Sequence, residues 1–178
     1  MEYFPESELL NEETATKLNE WIGETKKWKR VYSSSINPLQ PEDFHAAVDN
    51  KGECIVLVES ENGSVFGGYT SVGFIPEGHQ GSIYRDNHHF LFTLKNPWNI
   101  PPTMFKNKYP QTSILYVDVY GPCFGSHSDF CIRGHSGNFE LSHTIGFPWS
   151  YEDSTGKGNK VFTGDDKFTV KRMEVFCV

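Results

Sequence analysis

Cys123, His127, Cys131 and His135 recur at a spacing of four and between them offer the donor atoms of a zinc site. A helix would align them, but Gly121, Pro122, Gly125 and Gly134 argue against a helix there. On a strand, residues four apart share a face and stand roughly 13 Å from one another, too far for one tetrahedral zinc. Only a turn folding the segment back would bring them together, so neither a metal nor another cofactor is expected. Ser126, His127 and Asp129 supply the residue types of a nucleophile, a base and an acid. Neighbouring strand positions point to opposite faces, and the glycine pattern of a nucleophile elbow is missing. The trio is read as a coincidence, and no catalytic residue is assigned.

The other chemically capable groups are thiols and carboxylates. Cys54, Cys131 and Cys177 lie among apolar neighbours and read as inert core thiols. Cys123, between Pro122 and Phe124, is expected to be the most exposed and is the candidate redox thiol, although no lysine or arginine adjoins it to lower its pKa. Glu174 sits in the otherwise apolar run Met173-Glu174-Val175-Phe176-Cys177-Val178. Burial there raises a carboxyl pKa unless donors or a cation compensate. Such carboxylates mark functional sites or structural ion pairs, and the structural reading is adopted for Glu174. Asp129 is read alike, capping the turn after Gly125 or joining Glu174 in a polar network.

The elements that must position these groups are mostly strands. Asn11, Glu12, Glu13 and Gly23 bracket a first helix whose Ala15, Leu18, Trp21 and Ile22 form one apolar stripe. A second, short helix opens on Pro41 and places Phe44, Ala47 and Val48 on one face, closing at Asp49-Asn50-Lys51-Gly52. Cys54 to Val58 is a continuous apolar run, as in a strand covered on both faces. Asn62-Gly63 predicts a type I′ hairpin turn into a strand from Val65 to Ser71. Further strands are expected at Trp28 to Ser35, Phe90 to Leu94, Ile114 to Tyr120, Phe130 to Arg133, Phe139 to Leu141 and Phe168 to Val178, the last with a bulge near Lys171-Arg172. Pro76 to His89 and Asn96 to Thr112 read as loops. So many strands with only two helices predict a mainly β fold, a two-sheet antiparallel β-sandwich with flanking helices.

The composition agrees. Aromatic residues make up 15% of the 178, and 16 glycines and 10 prolines punctuate the chain, a balance that favours strands over helices. A net charge of −7 disfavours nucleic acid, whose binding draws on positive charge; Lys26-Lys27-Trp28-Lys29-Arg30 reads as a solvated junction. No stretch approaches the ~18 apolar residues of a membrane span, and the first residues lack the regions of a signal peptide. The expectation is a cytoplasmic, monomeric protein with four reduced cysteines and no membrane insertion.

Several short phrases follow one another along the chain: Trp28-Lys29-Arg30-Val31-Tyr32 with Ser33-Ser34-Ser35, Phe44-His45, Val65-Phe66-Gly67-Gly68-Tyr69 and Phe90-Leu91-Phe92. Gly121-Pro122-Cys123-Phe124-Gly125 with Asp129, and Val170 to Phe176, complete the series. In this order they resemble the TLDc domain family of eukaryotic oxidation-resistance proteins. Asn37-Pro38 stands where the family usually has a glycine turn, and Met173 where it has isoleucine or leucine. The resemblance covers residues 9–178 as a TLDc-like domain, with residues 1–8 as an N-terminal extension. It implies a β-sandwich, a role in protection from oxidative damage and binding to the vacuolar proton ATPase. A protein-binding regulator is therefore expected, ahead of a thiol-based antioxidant or sensor and of a metal- or carboxylate-dependent hydrolase. Glycine inside a strand has a stability cost, so Gly67-Gly68 and Gly121/Gly125 mark a bulge or close sheet approach in preference to backbone presented to a partner.

Overall fold

The computed structural model describes residues 1–76, 82–83, 85–111, 113–133 and 142–178. The elements in chain order are α1 (Glu12–Ile22), β1 (Lys29–Ser33), α2 (Pro41–Val48), β2 (Cys54–Ser60), β3 (Val65–Thr70), β4 (Ser82–Ile83), β5 (His89–Lys95) and β6 (Thr103–Lys106). β7 (Leu115–Tyr116), β8 (Cys123–Phe124), β9 (Phe130–Cys131), β10 (Ser142–His143), β11 (Lys167–Phe168) and β12 (Val170–Cys177) follow.

β2 holds the centre because both of its faces are apolar and every residue in it is buried. It pairs antiparallel with β12 on one side and β3 on the other, within a six-stranded sheet ordered β1-β12-β2-β3-β5-β6. Period-two alternation sends Val56 and Val58 to one face and Ile55 and Leu57 to the other. The first face packs with Phe124, Phe130 and Phe168 of a second antiparallel sheet, ordered β11-β10-β9-β8, together with Phe44 and Val48 of α2. The second face is covered by Ala15, Leu18 and Ile22 of α1 and by Phe4. The fold is thus a β-sandwich with flanking helices, and β4 and β7 form a small separate pair.

Local chemistry sets the element ends. Asn11 Oδ1 accepts from Thr14 N at 2.9 Å while Thr14 Oγ1 accepts from Asn11 N at 3.0 Å, a reciprocal cap on α1. Gly23 closes the helix at φ 84°, the left-handed conformation that a side chain disfavours. The register of β12 against β2 shifts between Val170 and Arg172, where Lys171-Arg172 break the apolar phase.

Several sequence expectations change, among them the loop Pro76 to His89, which contains β4. Asn62-Gly63 is not a two-residue type I′ turn, since only Gly63 has positive φ. Asn62 instead accepts from Ser60 Oγ and Ser64 N and donates to Thr163 O, which opens the connection to residues 61–64. The strand expected at Ile114 to Tyr120 is cut to Leu115–Tyr116, because Val117 to Tyr120 form a turn. The loop Asn96 to Thr112 contains β6, a short edge strand. Residues 1–8, read as an extension, include Phe4, which is fully buried and stacks on Trp28 with centroids 5.6 Å apart. Burial of such a ring contributes roughly 2–3 kcal/mol, so this segment is fastened to the domain. The expected strand Phe139 to Leu141 lies outside the described residues.

Candidate functional site

Glu174 projects from β12 and is 2% exposed. Its Oε2 accepts from Ser7 Oγ at 2.7 Å, and its Oε1 accepts from Glu8 N at 2.8 Å and Arg30 Nη1 at 3.2 Å. Arg30 also donates to the Glu6 carbonyl. One carboxylate therefore joins β12, β1 and the N-terminal segment. A buried charge with three donors, one of them cationic, is an internal fastening.

The segment Gly121 to Gly125 is buried throughout. Gly121 N donates to Ile132 O and Ile132 N to Pro122 O, so the chain doubles back as a β8–β9 hairpin. Gly125 takes φ 85°, and a Cβ there would fall on the Asp129 carboxylate. Asp129 is fully buried; its Oδ2 accepts from Ser150 N at 2.7 Å, while Oδ1 has no partner among the described residues. Burial pushes the Asp129 carboxyl up to about 6, against the lowering effect of the Ser150 hydrogen bonds. Asp129 and Glu174 share no hydrogen bond, so the joint polar network considered for them does not form.

The hairpin also corrects the reading of Ser126 and His127 as opposed strand positions. They lie in its turn, with Ser126 Oγ 3.0 Å from His127 Nδ1 and 3.3 Å from Ser150 Oγ. His127 packs on Trp149 with ring centroids 4.3 Å apart. Asp129 bonds Ser150, so the carboxylate does not orient the imidazole.

The cysteines depart furthest from expectation. Four reduced thiols were expected, with Cys123 exposed; instead Cys123 is 1% exposed and forms a disulfide with Cys131, and Cys54 forms one with Cys177. In each case the two residues are directly opposed on antiparallel strands, with Cα atoms 4.1 and 4.2 Å apart. Cross-strand register makes these pairs, and spacing along the chain does not reveal it. His127 is at the turn and His135 is outside the described residues. Among the described residues no group of three or more His, Cys, Asp or Glu is placed to hold a metal.

Phe66, Gly67 and Gly68 lie in β3. Phe66 is buried against Phe130, Phe162 and Phe168. A Cβ at Gly67 would collide with the Val56 carbonyl, and one at Gly68 would come 2.8 Å from the Phe124 ring. Sheet-to-sheet approach thus requires Gly68, whereas Gly67 is required by the adjacent strand β2 within its own sheet. Phe124 fills the space that Gly68 leaves.

Three polar fastenings escaped the sequence reading. Asp86, 1% exposed, accepts from Thr70 Oγ1, Ser71 N and Oγ, His88 N and Ser113 Oγ. His45 holds Asp49 Oδ1 at 2.9 Å and the Tyr120 carbonyl at 2.8 Å, which anchors the 117–120 turn to α2. Burial lowers the His45 pKa, but the Asp49 hydrogen bond and charge together with the Tyr120 and Val117 carbonyls outweigh it, and the net shift is upward. His89 bonds Tyr151 Oη at 2.9 Å and the Tyr109 carbonyl at 3.2 Å, and its pKa is lowered chiefly by burial. At the surface, Tyr109, Ile145 and Trp149 are exposed, and a shallow hollow of about 360 Å³ between Lys108, Pro148 and the two aromatic residues adjoins His127. No helix among the described residues is long and apolar enough to cross a membrane.

A β-sandwich whose motif glycines allow close sheet packing, and whose motif carboxylates turn inward, defines a domain built around an internal frame. The sequence profile of the TLDc domain matches residues 3–178, and the chain belongs to the TLDc family. It is also 32% identical over 69 residues to the MTOR-associated protein MEAK7 of Gallus gallus, a stretch that is 38% of this chain and 14% of that protein.

Proposed function

We propose that this domain is a non-enzymatic regulator that acts in the cytoplasm, as a monomer, by binding another protein. The partner implied by the family resemblance is the vacuolar proton ATPase, and the implied role is protection from oxidative damage. One observation carries the reading: Glu174 and Asp129, the motif residues best suited to chemistry, are both buried, and Glu174 is fully engaged by the fold's own donors. Recognition is then left to the surface. The relative in Gallus gallus is itself named as an associated protein, which supports the same class. The test is titration of purified proton ATPase with the purified domain, following binding and ATP hydrolysis. Saturable binding that changes hydrolysis is expected; absence of binding would overturn the assignment of partner.

A thiol-based reading has one observation in its favour, the two cross-strand cysteine pairs. It would work by dithiol–disulfide exchange, since Cys123 is neither exposed nor unpaired. Peroxide consumption by the purified domain supplied with a dithiol reductant, which returns the oxidised pairs to thiols, separates the two readings. Negligible turnover is expected, and rapid cysteine-dependent turnover would favour the thiol chemistry.

A further inference from the structure

A neutral imidazole has one N–H and one lone pair, so its surroundings must offer one acceptor and one donor. His89 meets that demand: Tyr151 Oη, 2.9 Å from Nδ1, can donate, and the Tyr109 carbonyl, 3.2 Å from Nε2, accepts. His45 does not. Its Nδ1 lies 2.9 Å from Asp49 Oδ1, and its Nε2 lies 2.8 Å from the Tyr120 carbonyl and 3.3 Å from that of Val117. Asp49 Oδ2 accepts from Tyr116 Oη at 2.7 Å, so this carboxylate acts as an acceptor on both oxygens. Among the described residues, then, both ring nitrogens of His45 face acceptors alone. Only the doubly protonated ring supplies a donor to each.

The surroundings favour that cation. His45 is the basic residue in the last turn of α2, at the negative pole of the helix. Burial opposes the charge, but the Asp49 carboxylate and the two carbonyls outweigh it and raise the pKa above 6.5. Tyr116 packs on the imidazole from β7 with ring centroids 4.9 Å apart, Asp118 is exposed in the turn, and Arg133 sits over the Tyr120 ring. Of the charged groups described around the ring, Asp49 alone acts on its charge. The side chain is 11% exposed, which leaves it within reach of water for proton exchange.

We propose that His45 is a proton-operated clasp: as the imidazolium it ties the 117–120 turn to α2, and when it loses a proton the turn is released. The proton lost is the one on Nε2, because the carboxylate retains the one on Nδ1. Nε2 then turns a lone pair on two carbonyl oxygens, and both are left without their donor. The turn contains Asp118 and the exposed Val119 and runs into Gly121, whose N–H bonds Ile132 O. The surface beside the β8–β9 hairpin therefore changes with pH. The clasp is closed below the ordinary value of 6.5 and opens as pH rises through the higher folded-state value. This device is independent of which partner the domain binds.

The experiment is an NMR titration of the isotope-labelled full chain from about pH 5 to about pH 9, following the His45 ring nitrogens and the backbone amides of residues 117–121. His45 is expected to titrate above 6.5, to end in the Nδ1–H form, and to share its midpoint with the Tyr120 and Gly121 amides. Asp49→Asn should lower these midpoints together by about one pH unit, a tenfold weaker hold on the proton. In His45→Gln the turn amides should lose that transition. If this variant does not fold, Asp49→Asn decides alone. A His45 midpoint at or below 6.5, a neutral ring in the Nε2–H form, turn amides that ignore the His45 midpoint, or midpoints unmoved by Asp49→Asn would overturn the clasp. A histidine that merely packs there would titrate without moving the turn.

Discussion

Glu174 and Asp129 are both buried carboxylates in family motif segments, yet their surroundings differ. Glu174 meets three donors, one of them a guanidinium, from two separate stretches of chain. Asp129 is held by Ser150 alone on one oxygen, and its other oxygen has no partner among the described residues. Each region also has a cysteine pair, closing a sequence separation of 123 across β2 and β12 in the first and of 8 across the hairpin in the second. The first region ties distant parts of the chain together. The second is a local turn that holds a carboxyl group against its preference for water. A buried acid is thus defined by its donors, and the same functional group serves two ends in one fold.

The largest expected effect sharpens this contrast between distant and local closure. In the chain-entropy account, cross-linking a loop of that longer span stabilises by about 5 kcal/mol and the short one by about 2.5 kcal/mol. Urea unfolding of Cys177→Ala and Cys131→Ala under oxidising conditions should therefore show the greater loss in Cys177→Ala. Equal losses would break the comparison.

A smaller effect tests the carboxyl with the unpartnered oxygen. The folded-state value of about 6 for Asp129 lies above the ordinary value of 3.8, so the folded protein holds the proton more tightly than the unfolded chain. The stability contributed by this group is full below about pH 3.8 and is lost as pH rises through about 6. Asp129→Asn stays neutral throughout and should gain on the order of 2–3 kcal/mol at pH 7 relative to the parent, with little gain at pH 4. Thermal unfolding at the two pH values checks it. A gain independent of pH would mean that Asp129 is ionised in the fold without penalty.

The sequence displayed the scaffold better than the fastenings. Asn11, Gly23 and the apolar run of β2 announce their elements because caps and periodicity are local signals. Glu174 stood out as a lone charge in an apolar strand, but Ser7 and Glu8 lie 167 and 166 residues away, and no local rule connects them. The β8–β9 hairpin was missed because its turn, Gly125 to Ser128, lacks the usual Asn-Gly signal; Ser128 takes φ 53° instead. Without the hairpin the Cys123–Cys131 pair and the Ser126–His127 contact were both invisible.

The central claim is that Glu174 serves the fold and that recognition belongs to the surface. Glu174→Gln keeps the shape and removes the charge that faces Ser7, Glu8 and Arg30. Unfolding and proton ATPase binding measured on the same preparation test the claim directly. The account predicts a clear fall in melting temperature with unchanged affinity of the folded fraction, whereas a fully stable Glu174→Gln protein that no longer binds would contradict it.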